Sequence, residues 1–151
     1  YADLCIDGAD EVSPQWVCLK GAGGAMTGER LCARIAPRFI ILIEEHKRVQ
    51  KLGERMPLAV EVVPWARSAF AQYVYGMGAE AVWREKEISD SGNHLVDCWR
   101  LSFDEPYRLS QQIATFPGVV SHGLFIDCPM TDCIISTPQG RCEHIKVAKR
   151  I

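Results

Sequence analysis

The chain has no run of about 18 or more apolar residues, the length that a membrane-crossing helix needs. Its longest apolar stretch, residues 39–43, suits a buried strand instead. It has no surplus of positive charge. Lys and Arg number 17 against 19 Asp and Glu, a formal net charge of −2, which speaks against a nucleic-acid binder with its basic stripe. The basic clusters at His46-Lys47-Arg48 and at residues 146–150 read as solvated faces. Paired cysteine spacing is also missing. The seven cysteines (Cys5, Cys18, Cys32, Cys98, Cys128, Cys133, Cys142) are odd in number and irregularly placed, with no CxxC, so neither a disulfide scaffold nor a zinc ribbon is expected. Buried thiols in a reducing cytoplasm are the simpler reading. Cys142 and His144 lack two further ligands nearby, and no metal site is expected there. Finally, the chain opens on Tyr1 rather than Met, without a signal-peptide pattern, and runs at once into the apolar residues 4–6. That start predicts an upstream segment in the intact protein.

What is present is the composition of a globular protein, 48% hydrophobic and 24% charged, and 151 residues can bury a core. Residues 1–6 predict a strand ending at the turn Asp7-Gly8, and residues 16–19 a second one. A glycine-rich stretch, Lys20-Gly21-Ala22-Gly23-Gly24-Ala25, precedes a helix over 26–36 that Pro37 ends. A strand over 39–43 and a polar helix over 45–52 follow. This alternation predicts a parallel sheet covered by helices. The pattern changes after Gly53: strand 58–63, helix 65–77, strands 79–87 and 94–101 as a hairpin, helix 107–115 and strand 123–127. That order predicts a small ferredoxin-like α/β sandwich. Residues 132–136 and 142–147 predict a terminal hairpin around Pro138-Gln139-Gly140. The expected fold is therefore α/β: a Rossmann-like sheet, incomplete at its front, from 1–54 and 129–151, with a smaller domain, 55–128, inserted.

Chemistry concentrates near the N-terminus. Asp3, Asp7, Asp10 and Glu11 crowd the first eleven positions, and Asp7 falls at the carboxyl end of a strand, where open α/β sheets bind ligands. Lys20 and the small residues after it can offer a charge and closely approaching backbone N–H groups to an oxygen-rich ligand, next to a helix N-terminus. The stretch is neither a Walker loop nor G-x-G-x-x-G, because Met26 stands where the third glycine should be. Glu29 lies in the first turns of the following helix, where an acid also suits the helix dipole. Lys47 alone reads as a solvated lysine.

The conjunction changes that reading. Asp7-Gly8-Ala9-Asp10-Glu11, a lysine ten residues after Asp10, the glycine-rich run and a glutamate nine residues after Lys20 together resemble the signature of type A ribose-5-phosphate isomerases. The resemblance continues through Lys47, Pro57 to Pro64 (PLAVEVVP), Asp90-Ser91-Gly92-Asn93, Pro117-Gly118-Val119-Val120 and Gly123-Leu124-Phe125. Ala22, Gly28 and Ser91 depart from the usual glycine, arginine and asparagine. The family's Ser/Thr-rich phosphate loop would lie upstream of Tyr1.

The resemblance implies interconversion of ribose 5-phosphate and ribulose 5-phosphate through an enediolate, a step of the pentose phosphate pathway. It implies Glu29 as general base and Asp7 and Asp10 as ligands of the sugar hydroxyls that help open the ring. Lys20 and the N–H groups of Gly21, Ala22 and Gly23 would offset developing charge. Gly8, Ala9 and Lys47 join the substrate-binding set. It further implies no cofactor, no metal, no membrane or nucleic-acid partner, and a homodimer or homotetramer. Two other readings remain open: a sugar-phosphate sensor like the effector domains of DeoR-type regulators, and a different isomerase or transferase on a related α/β scaffold, such as a sugar-phosphate deaminase.

Overall fold

The computed structural model describes residues 2–148; Tyr1 and residues 149–151, which include the end of the basic cluster 146–150, lie outside it. The first half runs β1 (Cys5–Gly8), β2 (Glu11–Val12), β3 (Cys18–Leu19), α1 (Met26–Ile35) and β4 (Phe39–Glu44). It continues as β5 (Leu58–Val62), α2 (Arg67–Gly76), β6 (Glu80–Ile88), β7 (His94–Trp99), α3 (Pro106–Ala114), β8 (Val119–His122), β9 (Leu124–Phe125), β10 (Asp132–Ser136) and β11 (Cys142–Lys146).

β1, β4 and β10 form a parallel sheet, and β11 adds an antiparallel edge by the terminal hairpin. Phe39, Ile41 and Ile43 of β4 turn to one side, where they pack with Met26 and Ala33 of α1 and with Cys133 and Ile135 of β10. This is the Rossmann-like layer. The strands from 58 to 122 follow the order β6-β7-β5-β8, all antiparallel neighbours, which is the ferredoxin-like arrangement. β5 is buried along its whole length because both its faces are covered. Leu58, Val60 and Val62 point with Phe70, Val74, Leu109 and Ile113 toward α2 and α3. Ala59, on the opposite face, packs with Leu95 against Met26 and the first core. A three-stranded sheet, β2-β3-β9, joins the two regions.

Three expectations need correction. Residues 45–52 do not form a helix beyond a single 3-10 turn, Glu45–Lys47. The Val49 N–H instead donates to the Val12 carbonyl (3.0 Å), and Val49 and Leu52 are drawn into the core. The predicted strand 123–127 is reduced to the two-residue β9, and the strand that completes the ferredoxin-like sheet, β8, lies just before it, where no strand is expected. β8 pairs with β5 and β9 with β3, and Gly123 between them donates to the Ala59 carbonyl (2.7 Å) while accepting from the Lys20 N–H (2.8 Å). The second expected strand begins two residues late, at Cys18, because Trp16 adopts a left-handed φ of 58° in the preceding turn.

Candidate active site

The antiparallel pairing of β2 with β3 sets the interval between Asp10 and Lys20. Glu11 lies opposite Leu19, and the Asp10 N–H donates to the Leu19 carbonyl (2.8 Å), so the residues flanking this short ladder face each other. Asp7 is the next-to-last residue of β1, and Lys47 follows β4 at the carboxyl end of the same parallel pair. α1 supplies Glu29. It lies three residues after buried Met26 and four before buried Ala33, on the helix face turned inward. Asp7, Gly8, Ala9 and Asp10, then Lys20, Gly21, Ala22 and Gly23, then Glu29 and Lys47 line one shallow pocket of about 160 Å³. Asp3 is exposed and outside it. A larger apolar groove of about 470 Å³ shares no lining residue with this pocket.

Lys20 sits at the centre, only 4% exposed. Its Nζ lies 2.9 Å from Asp7 Oδ2 and 3.3 Å from Glu29 Oε2, and donates to the Gly8 carbonyl at 2.5 Å. Burial opposes its charge, but the hydrogen bond to Asp7 and the charges of Glu29 and Asp7 outweigh that and hold the ammonium above its ordinary value. The ring of Phe125 adds a face 5.6 Å from the same nitrogen.

Glu29 differs from its neighbours. Its Oε2 is buried and makes no aligned hydrogen bond, so the ion pair with Lys20 is its polar contact. Desolvation raises its affinity for a proton; Lys20 opposes this and Asp7 reinforces it, leaving the carboxyl above its ordinary value. A desolvated carboxylate of raised basicity beside a fixed ammonium can take a proton from carbon and stabilise the anion that results.

The glycine-rich segment is a turn held from two sides. Gly21 has φ of +103°, and a Cβ there would lie 2.9 Å from Ala59 Cβ, so glycine is required. The Ala22 N–H donates to Asp10 Oδ2 (2.9 Å). On the other side Arg84 donates to the carbonyls of Gly21 (3.1 Å) and Ala22 (2.9 Å). Sequence reasoning passed over Arg84, and equally the buried Glu61, which accepts from Thr27 of α1, from Ser89 Oγ (2.7 Å) and from Asn93 Nδ2 (2.8 Å). It also gave no role to Glu11, whose carboxylate accepts from the N–H groups of Gly53, Arg55 and Met56 (2.7, 2.7 and 2.9 Å). The one available signal for Glu61 was a carboxylate inside an otherwise apolar strand. Among the described residues no group of three or more His, Cys, Asp and Glu is arranged to hold a metal ion. His144 is engaged instead with Asp132 (2.8 Å).

Residues 1–140 match the family model of ribose 5-phosphate isomerase A (phosphoriboisomerase A). The chain belongs to the ribose 5-phosphate isomerase A family. It is 40% identical over 135 residues to ribose-5-phosphate isomerase A of Francisella tularensis subsp. tularensis, covering 89% of this chain and 60% of that protein. The chain thus spans about 60% of the length of the curated isomerase A relatives it matches. The structure of ribose 5-phosphate isomerase A from Neisseria gonorrhoeae superposes with a TM-score of 0.91 at 32% identity, covering 97% of this chain and 65% of that one. The isomerase A from Methanocaldococcus jannaschii gives 0.89 at 34%, covering 96% and 66%. A D-ribose-5-phosphate isomerase in complex with phospho-erythronic acid gives 0.89 at 33%, covering 95% and 65%.

Proposed function

We propose that this chain carries the reaction centre of an enzyme that interconverts ribose 5-phosphate and ribulose 5-phosphate, with Glu29 as the base. The carrying observation is the buried Oε2 of Glu29, beside Asp7 and 3.3 Å from the Lys20 ammonium. In the open-chain aldose, Glu29 takes the proton from C2, and the electron pair forms the C1–C2 double bond of an enediolate. Charge gathering on the two oxygens meets Lys20 and the N–H groups of the glycine-rich turn. Glu29 then returns the proton to C1 while the hydroxyl proton on O2 passes to O1, giving the ketose, so nothing is consumed. Asp7 and Asp10 hold the sugar hydroxyls and assist ring opening, with Gly8 and Ala9 shaping the floor, while Lys47 attracts the anionic substrate. A general base of this kind contributes about 10²–10⁴-fold. The related isomerase complexed with phospho-erythronic acid supports this reading, since a sugar acid presents a planar anionic pair of oxygens as an enediolate does.

The same reading divides the chain into 1–54 with 129–151 and an inserted 55–128. The separate parallel and ferredoxin-like sheets support it, and the β2-β3-β9 sheet straddles the boundary. It also implies a homodimer or homotetramer acting in a reducing cytoplasm, consistent with the buried thiols of Cys18, Cys98, Cys128 and Cys133. Assay of the full-length protein with ribose 5-phosphate, following ketose formation, is the test. Turnover with ribose 5-phosphate and no ammonia from an amino-sugar phosphate is expected. Binding without turnover indicates the sensor, and ammonia release the deaminase.

A further inference from the structure

Arg84 stands on β6, outside the pocket, yet its guanidinium reaches the glycine-rich turn. Asp97, on the neighbouring strand β7, holds it by two bonds: Nε to Oδ2 at 2.8 Å and Nη2 to Oδ1 at 2.7 Å. The two side chains are 12% and 18% exposed, and Glu87 approaches Nη1 more loosely at 3.4 Å. Such a fork-on-fork pair fixes the guanidinium plane as well as its charge. The other faces of Nη1 and Nη2 donate to the Ala22 and Gly21 carbonyls.

Peptide geometry turns that contact into a consequence for the pocket. In a planar trans peptide the C=O and the following N–H point in opposite directions. Arg84 holds the Gly21 carbonyl, and the N–H of the same peptide, on Ala22, points the other way to Asp10. Arg84 also holds the Ala22 carbonyl, so the Gly23 N–H is turned toward the Asp10 side, which is the pocket. The Gly21 peptide is also held by the Gly24 N–H (3.0 Å) and by Asp10, whereas for the Ala22–Gly23 peptide Arg84 holds the carbonyl and sets the direction of the Gly23 N–H. Without it the turn, built around a glycine at positive φ, has alternative peptide orientations available.

We propose that Arg84, locked by Asp97, is a positioning residue that aims the Gly23 N–H at the charge developing on the enediolate and keeps the Ala22 N–H on Asp10. The proposal rests on the isomerase reading above. It predicts a defect in turnover rather than in binding, because the donors are needed most when the oxygens carry charge. A misdirected donor of this type costs about 10²–10³-fold.

The experiment uses the full-length protein, with wild type, R84M and R84K compared by steady-state kinetics, circular dichroism and amide hydrogen exchange. For R84M the expectation is a kcat lowered by about 100-fold, a KM changed less than about threefold, and exchange at the Asp10-bonded Ala22 N–H accelerated while β4 and β10 stay protected. R84K keeps the charge beside Asp97 but cannot fork to both carbonyls, so a loss of the same sign is expected. It also answers the question if R84M does not fold. Near wild-type kcat in a folded R84M or R84K, a loss confined to KM, or unaltered exchange at Ala22 overturns the proposal. A wild type without isomerase activity overturns the reading beneath it, and the exchange data then still report whether Arg84 orders the turn.

Discussion

His122 is buried at 4% exposure, with its Nδ1 accepting from the Leu124 N–H (3.3 Å) and its Nε2 3.3 Å from Ser110 Oγ. The neutral ring therefore carries its proton on Nε2. Burial, and then Arg30 close by, push its value down to about 4, against which Asp127 acts weakly. A histidine depressed on folding binds fewer protons folded than unfolded between its ordinary value near 6.5 and about 4. Its contribution is complete above the upper value and is lost as pH falls through that window, by roughly 3 kcal/mol. Urea midpoints measured from pH 7 to pH 4.5 should fall on this account, and His122→Asn should flatten the slope. At this scale the candidate site was legible where chain order alone carried it. Asp7, Asp10, Lys20, Glu29 and Lys47 come from successive segments of the first 47 residues, and all line the same pocket. Arg84 and Glu61 were not legible, since their meaning depends on which face of a strand meets the site.

Two elements offer direct tests of local energetics. Gly28 lies exposed in α1, and a Cβ built there meets nothing within 4 Å. Gly28→Ala should stabilise the protein by about 0.5–1 kcal/mol, read as a raised Tm with unchanged activity. The segment after β4 behaves in the opposite sense. Its backbone is held by the 1% exposed Glu11, which satisfies three N–H groups between Gly53 and Met56. Glu11→Ala should cost about 2–4 kcal/mol by leaving those donors unpaired, visible as a lower urea midpoint. This same tethering explains why 45–52 was misread. Its polar composition suits a helix, but the bonds from Val49 to Val12 and from Gly53 to Glu11 pull it along the sheet. α1, α2, α3 and the β6-β7 hairpin were readable because apolar periodicity and Gly/Pro punctuation agree with tertiary packing there. β8 was not, because Val119 and Val120 have too short an apolar pattern to separate from the turn at Pro117-Gly118.

For the whole molecule, the change of pattern after Gly53 was enough to separate the parallel sheet from the ferredoxin-like one. The contacts joining them were invisible, being single residues from distant positions. Gly123 is the tightest of these. A Cβ there would lie 2.0 Å from the Lys20 carbonyl oxygen, backbone that cannot step aside without moving β3. Gly123→Ala should therefore lower both Tm and kcat, since the strand that displaces carries Lys20. Glu61 acts alongside it, tying Thr27 of the Glu29 helix to the loop holding Ser89 and Asn93. The candidate site is thus assembled from β1, the β2-β3 ladder and α1, and braced by the ferredoxin-like sheet.

The most direct test of that centre follows the C2 hydrogen of ribose 5-phosphate in deuterated solvent, with the full-length protein and its Glu29→Gln variant across pH. The wild type should wash deuterium into C2, with a rate that rises as pH passes a carboxyl value above the ordinary range near 4.3, in the direction set by burial of Glu29. Glu29→Gln, folded normally, should lose exchange and turnover together by at least about 10²-fold. Exchange that persists near the wild-type rate in that variant, with the same pH profile, would contradict the account.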